Sequence, residues 1–305
     1  MNIKRVRAIY YSATGTTQKV VETLAKTLAE ALSVPFDSVS FNTPQEREIV
    51  HTCDPDEVVV VGSPTYAGKL PNKLMPTFQT NLVGNGAVAV AVVLFGNRSY
   101  DNSLAELTAI LQAGGFRTVC ATACVGQHAF AEALATGRPN QEDLGFVKDI
   151  ARRVAERLRD GSPFADLQVP GDAAAPYYVP KDEQGQPAKF LKAHPKTDPS
   201  KCVNCGTCAR LCPMGSIDPE DVTQVEGICI KCQACIRHCP TGAKYFDDPA
   251  FLSHRAMLEQ NFTEPMLAPG ENRHFEPGEN SQFQPGRNRQ SVPGGCSQPR
   301  FGYRF

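Results

Sequence analysis

The sequence predicts an α/β chain in two parts: a doubly wound, five-stranded parallel sheet over residues 1–160, and a small α+β unit rich in cysteine over residues 198–248. Three observations carry this prediction. Continuous apolar runs, such as Val58–Val61 and Ala87–Phe95, match strands covered on both faces. They alternate with segments of helical period, so the connections read as crossover helices on both faces of a parallel sheet. Eight of the 12 cysteines lie within residues 201–247, which sets that stretch apart in composition.

Each element follows from its own pattern. Arg5–Tyr11 is rich in β-formers and reads as the first strand. Thr17–Leu32 is a helix with Val20, Val21, Leu24, Leu28 and Leu32 on one face. Val34–Phe41, Val58–Gly62 and Ala87–Phe95 supply the next three strands. Leu104–Leu111 is helical and stops at Gly114-Gly115. Arg117–Val125 is the fifth strand, with a break, and Glu142–Arg159 is a helix that turns Leu144, Val147, Ile150, Val154 and Leu158 inward. Residues 161–197 form a proline-rich linker, and residues 249–263 form a short helix after the cysteines. In the tail, 264–305, PGENRHF, PGENSQF and PGRNRQS recur at a spacing of eight. Such a repeat buries no core and reads as a solvated appendage, with partner binding as the alternative.

Composition narrows the function. A length of 305 residues suits about two domains. The content of 41% hydrophobic and 21% charged residues excludes wholesale disorder. A net charge of −1 argues against a nucleic-acid binder, which needs a basic surplus. No stretch approaches the roughly 20 apolar residues of a membrane span. The N-terminus, from Met1–Arg5 through the short strand-like run after it, lacks the apolar core and cleavage site of a signal peptide. A cytoplasmic address is therefore expected, where thiols stay reduced and 12 cysteines point to metal or redox chemistry.

The cysteines are patterned. Cys202, Cys205, Cys208 and Cys212-Pro213 form C-x2-C-x2-C-x3-C-P, and Cys229, Cys232, Cys235 and Cys239-Pro240 repeat it. The sixteen residues from 202 match those from 229 at seven positions, an internal duplication. Three thiolates in one tight loop can hold three irons of a cubane, and the fourth ligand must come from farther away. In this pattern the fourth cysteine ligates the other cluster. Cys202, Cys205, Cys208 and Cys239 are thus expected to hold one [4Fe–4S] cluster, and Cys229, Cys232, Cys235 and Cys212 a second. Zinc is the alternative, but zinc sites have no need of a third cysteine or of Cys-Pro, twice over. Cys53, Cys120, Cys124 and Cys296 stand outside any motif, and the first three read as core or free thiols.

The first strand opens through Ser12-Ala13-Thr14-Gly15-Thr16-Thr17 directly into a helix. Hydroxyls and backbone N–H groups at a helix N-terminus make an anion site, and simple N-capping is the other reading. Neither a Walker loop nor a dinucleotide fingerprint is present. Three further loops should share this rim: Ser63-Pro64-Thr65-Tyr66-Ala67-Gly68, Phe95-Gly96-Asn97-Arg98-Ser99-Tyr100-Asp101-Asn102, and Gly126-Gln127-His128-Ala129-Phe130. Tyr66 and Tyr100 on a phosphate rim favour a bound flat ring.

On these residues, 1–160 resembles a short-chain flavodoxin, and the whole of 1–262 resembles the fused flavodoxin–ferredoxin proteins of anaerobic bacteria and archaea. The fold so implied is a flavodoxin-like sheet followed by a two-cluster ferredoxin domain. The resemblance implies FMN, with Ser12, Thr14, Gly15, Thr16 and Thr17 at its phosphate. It implies that Tyr66, in the loop with Pro64, Thr65, Ala67 and Gly68, and Tyr100, in the loop with Gly96, Asn97 and Asp101, flank the ring. Flavodoxins often use Trp as one flanking ring, and this chain has none. The octad tail departs from the family.

Three functions compete on this basis. An electron carrier would couple FMN, which exchanges one or two electrons, to clusters that exchange one each, and would serve redox protein partners. An FMN-dependent reductase of a small molecule would have an open pocket over the ring, with His128 as proton donor. A redox sensor or scaffold would dock a partner through its tail.

Overall fold

Alternation along the strands decides which helix covers which face. The computed structural model describes residues 1–264 apart from 162, 165 and 166. Strands β1 (Arg5–Tyr10), β2 (Phe36–Ser40), β3 (Glu57–Pro64), β4 (Val88–Phe95) and β5 (Arg117–Val125) form one parallel sheet in the order β2-β1-β3-β4-β5. This is the flavodoxin-type doubly wound order, which reverses between β1 and β3.

Helices α1 (Thr16–Leu32) and α4 (Gln141–Asp160) cover one face. There Val20, Leu24, Val147, Ile150 and Val154 meet Val6, Val58, Val60 and Val90. Helix α3 (Ser103–Ala113) covers the other with Leu104, Leu107 and Leu111 on Ile9, Val59, Val61 and Ala91. The short α2 (Met75–Thr80) adds Phe78 to this second core, which also takes in Cys53. Cys120 and Cys124 lie in the first core, so all three unpatterned thiols among the described residues are buried. The break expected in β5 is a bulge opposite Ala89/Val90. It sends the adjacent Val119 and Cys120 to the same core.

Two local devices fix α1 where the site needs it. Gly62 on β3 touches it directly: a Cβ there would lie 2.2 Å from Val21 Cγ2. Gly15 begins the helix at φ +86°, a left-handed conformation that glycine adopts without strain.

The rest of the chain is laid on this unit. Lys69, ion-paired to Glu106 at 2.9 Å, donates to the carbonyls of Ala173 and Ala175 at 2.7 and 2.9 Å. Tyr177 Oη donates to Leu70 O at 2.9 Å, and Tyr178 N donates to Ala67 O at 2.8 Å. The cysteine-rich unit has one two-strand ribbon, β6 (Lys196–Thr197) with β7 (Lys244–Tyr245), and two single-turn helices, α5 (Thr207–Arg210) and α6 (Ala234–Arg237). Helix α7 (Pro249–Asn261) comes next, with Met257 and Leu258 packed on Ala131 and Leu134. The octad tail lies outside the described residues.

Candidate functional site

Four strand-end loops converge on a cleft of about 240 Å³. At one end is the β1–α1 loop, where Thr14, Thr16 and Thr17 line the wall. The first N–H groups of a helix lack intrahelical partners, and here that of Gln18 is taken by Ser12 Oγ at 3.1 Å. Ser12 N in turn donates to Asn42 Oδ1 at 2.6 Å. Ser12 therefore acts from behind, as a cap, while the threonines face the space. Their hydroxyls, the Gly15 turn and the helix terminus together suit a phosphate monoester.

The β3 loop contributes Pro64, Thr65, Tyr66, Ala67 and Gly68, all on the cleft wall. Thr65 Oγ1 and Ser103 Oγ are 2.7 Å apart, and Tyr66 and Lys69 exchange backbone hydrogen bonds in a tight turn. Gly68 is at φ +78°, and a Cβ there would meet the Asp101 carboxylate at 2.3 Å.

The β4 loop differs from its expected role. Gly96 lines the cleft, but Asn97, Tyr100 and Asp101 do not. Asn97 is buried and its amide donates to the carbonyls of Phe262 and Glu264 at 2.5 and 3.0 Å. Tyr100 is 2% exposed and packs 5.5 Å from Phe95 in the core, so it is not placed to flank a ring. Asp101 pairs with Arg98. The side chains from this loop that do face the cleft are Arg98 and Ser99. Beyond the β5 loop with His128 and Phe130, walls come from the linker (Tyr178, Pro180, Phe190) and from α7 (His254, Leu258). The apolar pairs Tyr177-Tyr178 and Phe190-Leu191 are the sequence signal for this. Tyr178 and Phe190 pack inward, while Leu191 is 92% exposed.

The cysteine-rich unit is two copies of one backbone. Asn204 and Lys231 are at φ +50° and +55°, Gly206 and Gln233 at +70° and +67°, and Gly215 and Gly242 at +60° and +63°. Ser216 N donates to Cys212 Sγ at 3.3 Å, as Ala243 N does to Cys239 Sγ at 3.2 Å. Two cavities lie between the copies. One is lined by Cys202, Cys205, Cys208 and Cys239. The other is lined by Cys212, Cys229, Cys232 and Cys235. Each cavity thus gathers three cysteines from one motif and the fourth from the other. In this unit Ile217 is buried whereas Val203 is 64% exposed.

The second cavity abuts the cleft. Ile230, Lys231 and Cys232 line both. The junction is held by Arg237, whose guanidinium donates to His128 O at 3.1 Å and pairs with Glu132 at 2.9 Å. His238 Nε2 donates to Ala13 O at 3.2 Å, and Arg47 donates to Pro213 O.

Two family models match the chain. The flavodoxin family model matches residues 9–137, and the 4Fe-4S binding domain model matches residues 195–218. No curated protein matches the chain. A flavodoxin from the domain Archaea is 18% identical, over 51% of this chain and 99% of its own, with a TM-score of 0.36. Rubredoxin oxygen:oxidoreductase from Desulfovibrio gigas is 19% identical over 52% of this chain and 37% of its own, with a TM-score of 0.37. A mutant flavodoxin from Pseudomonas aeruginosa is 14% identical over 51% and 99%, with a TM-score of 0.37. With the sheet order, the two matched domains and the paired cysteine sets in place, the chain is a flavodoxin domain followed by a 4Fe-4S domain, a flavodoxin–ferredoxin fusion.

Proposed function

We propose that the chain is an electron-transfer protein in which FMN occupies the cleft and two [4Fe–4S] clusters occupy the cysteine cavities. The observation that carries this is the shared wall: Ile230, Lys231 and Cys232 belong both to the cleft and to the inner cavity. The order is then FMN, inner cluster (Cys212, Cys229, Cys232, Cys235), outer cluster (Cys202, Cys205, Cys208, Cys239).

Bound there, FMN supplies one- or two-electron exchange and each cluster one electron. The protein's own part is holding and shielding. Thr14, Thr16, Thr17 and the start of α1, turned by Gly15 and backed by Ser12, bind the phosphate. Pro64, Thr65, Tyr66, Ala67 and Gly68 with Gly96 flank the ring. The backbone N–H groups of Ser216 and Ala243 bond cysteine sulfur, which stabilises the more negative, reduced form. Burial is unequal: Cys232 and Cys235 are buried while Cys205 is exposed. The outer cavity is therefore the natural point of exchange with a redox protein partner, and the inner one is the relay. No helix among the described residues is long and apolar enough to cross a membrane.

The test is cofactor content and spectrum of anaerobically purified full-length protein. One FMN and about eight irons per chain are expected. Zinc in place of iron, or iron without flavin, would overturn the proposal.

A further inference from the structure

The two cysteine cavities come from one duplicated stretch of chain, yet their walls differ by a buried charge. Residues 202–217 repeat as 229–244, so Ile217 is the counterpart of Lys244. Ile217 lines the inner cavity and Lys244 the outer one, and each is 4% exposed. Building on the electron-transfer reading above, and resting on it, we propose that Lys244 is the counter-charge of the outer site. Its ammonium sets the potential at which the cluster held by Cys202, Cys205, Cys208 and Cys239 takes its electron.

A buried ammonium needs compensation. Two lysines are buried among the described residues, Lys69 and Lys244. Lys69 has the Glu106 carboxylate at 2.9 Å. Lys244 has no carboxylate within ion-pair distance among the described residues. Its Nζ donates to Thr197 Oγ1 at 2.8 Å and to Val222 O, both neutral. Asp221 feels its charge, but that carboxylate is exposed and bonded to Thr223. Thr197 and Val222 line the outer cavity as Lys244 does, so the ammonium stands at that wall. Burial raises the Cys208 thiol, and the Lys244 charge is foremost among the influences that oppose it. A cluster on four thiolates is net negative and gains one further unit on reduction, so a cation at this wall favours the reduced form.

The inner cavity has a cation of another kind. Lys231 lines both that cavity and the cleft, is half-buried, and donates to the carbonyls of Leu191 and Cys229 at 2.6 and 2.9 Å. A charge that solvent reaches is screened more than one in the interior. Lys244 therefore raises the outer potential, and Lys231 raises the inner one by less.

The test is a redox titration of the anaerobically purified full-length holoprotein, followed by electron paramagnetic resonance, with iron and flavin quantified first. Lys244→Met removes the charge, and Lys244→Gln removes it while keeping a donor for Val222 O. Each should lower one cluster midpoint by the equivalent of about a tenfold change in the reduced-to-oxidised ratio, which is about 59 mV for one electron, and move the other by less. Lys244→Arg should leave both midpoints in place. Lys231→Met identifies the waves: the midpoint it lowers most belongs to the inner site. Loss of about four irons in both neutral variants but not in Lys244→Arg would also support the inference, since the arginine keeps the charge. Midpoints unmoved in both neutral variants, an equal fall in Lys244→Arg, or one wave lowered most by both Lys244→Met and Lys231→Met overturns the inference alone. Zinc in place of iron in the parent chain overturns the electron-transfer reading and the inference with it.

Discussion

His128 sits against Gly96, where a Cβ would come within 2.3 Å of its ring. Burial, with His254, Arg98 and Arg237 nearby, lowers its pKa to about 3. In the unfolded chain the same group takes up its proton near the usual value of about 6.5. Between these values the unfolded state binds more protons, so stability falls as pH drops through that window. At about pH 5.5 this one group should cost about 1.4 kcal/mol. The drop in urea midpoint from about pH 7.5 to about pH 5.5 should therefore be smaller in His128→Asn than in the parent chain. Equal drops would refute the assignment. The contrast between Tyr100 and Tyr178 shows what sequence can reveal at this scale. The threonines of the β1–α1 loop are legible because they stand together in the chain, and the cysteine sets because their spacing is repeated, although each set takes its fourth member from the other copy. Tyr100 has the right loop but points into the core beside Phe95. Tyr178 reaches the cleft only because its backbone N–H is bonded to Ala67, a contact across more than a hundred residues that no local pattern encodes.

Helix α7 shows the same division among elements. It begins with Pro249 after Asp248, whose carboxylate accepts from Phe251 N at 2.9 Å. One face buries Phe251, His254, Met257 and Leu258, so the helix is both a brace for the β5 loop and a wall of the cleft. Asp248→Ala should remove about 1 kcal/mol, lowering the thermal midpoint by roughly 2–4 °C, while Asp248→Asn should retain most of it. A midpoint unchanged in Asp248→Ala would show that the cap is dispensable. The long helices and the five strands can be read from periodicity, usually to within two residues. Helices α2, α5 and α6 cannot, since four to six residues hold too few turns to show a period. Gln233 is equally hidden: it occupies the left-handed position that glycine holds at 206, and only the shared backbone exposes the equivalence.

Across the whole molecule, the cleft is assembled from three stretches of chain that lie far apart in sequence. The sheet unit brings the strand-end loops, the cysteine-rich unit brings Ile230, Lys231 and Cys232, and the linker and α7 close the far side. A chain cut after residue 160 keeps all five strands and the helices that cover them. It should keep its far-UV circular dichroism per residue of sheet unit yet bind FMN about tenfold more weakly, the equivalent of losing roughly 55 Å² of apolar contact. Fluorescence titration of FMN against the truncated and full-length chains checks this. Equal affinity would mean that the later segments contribute nothing to holding the flavin.

The bond from Tyr178 to Ala67, with those from Lys69 to Ala173 and Ala175, has a consequence for recombination. The halves of this chain are not interchangeable cassettes. A chimera that grafts a foreign iron–sulfur module onto this sheet would have to carry residues 172–193 and 249–262 across with the host. Inheritance of the sheet half alone would leave a cleft without its far wall. Crossover points that keep the linker and α7 walls lie at either edge of the cysteine unit, where the graft must still supply the wall that Ile230, Lys231 and Cys232 form, and none falls at the proline-rich stretch that looks, in the sequence, like the seam.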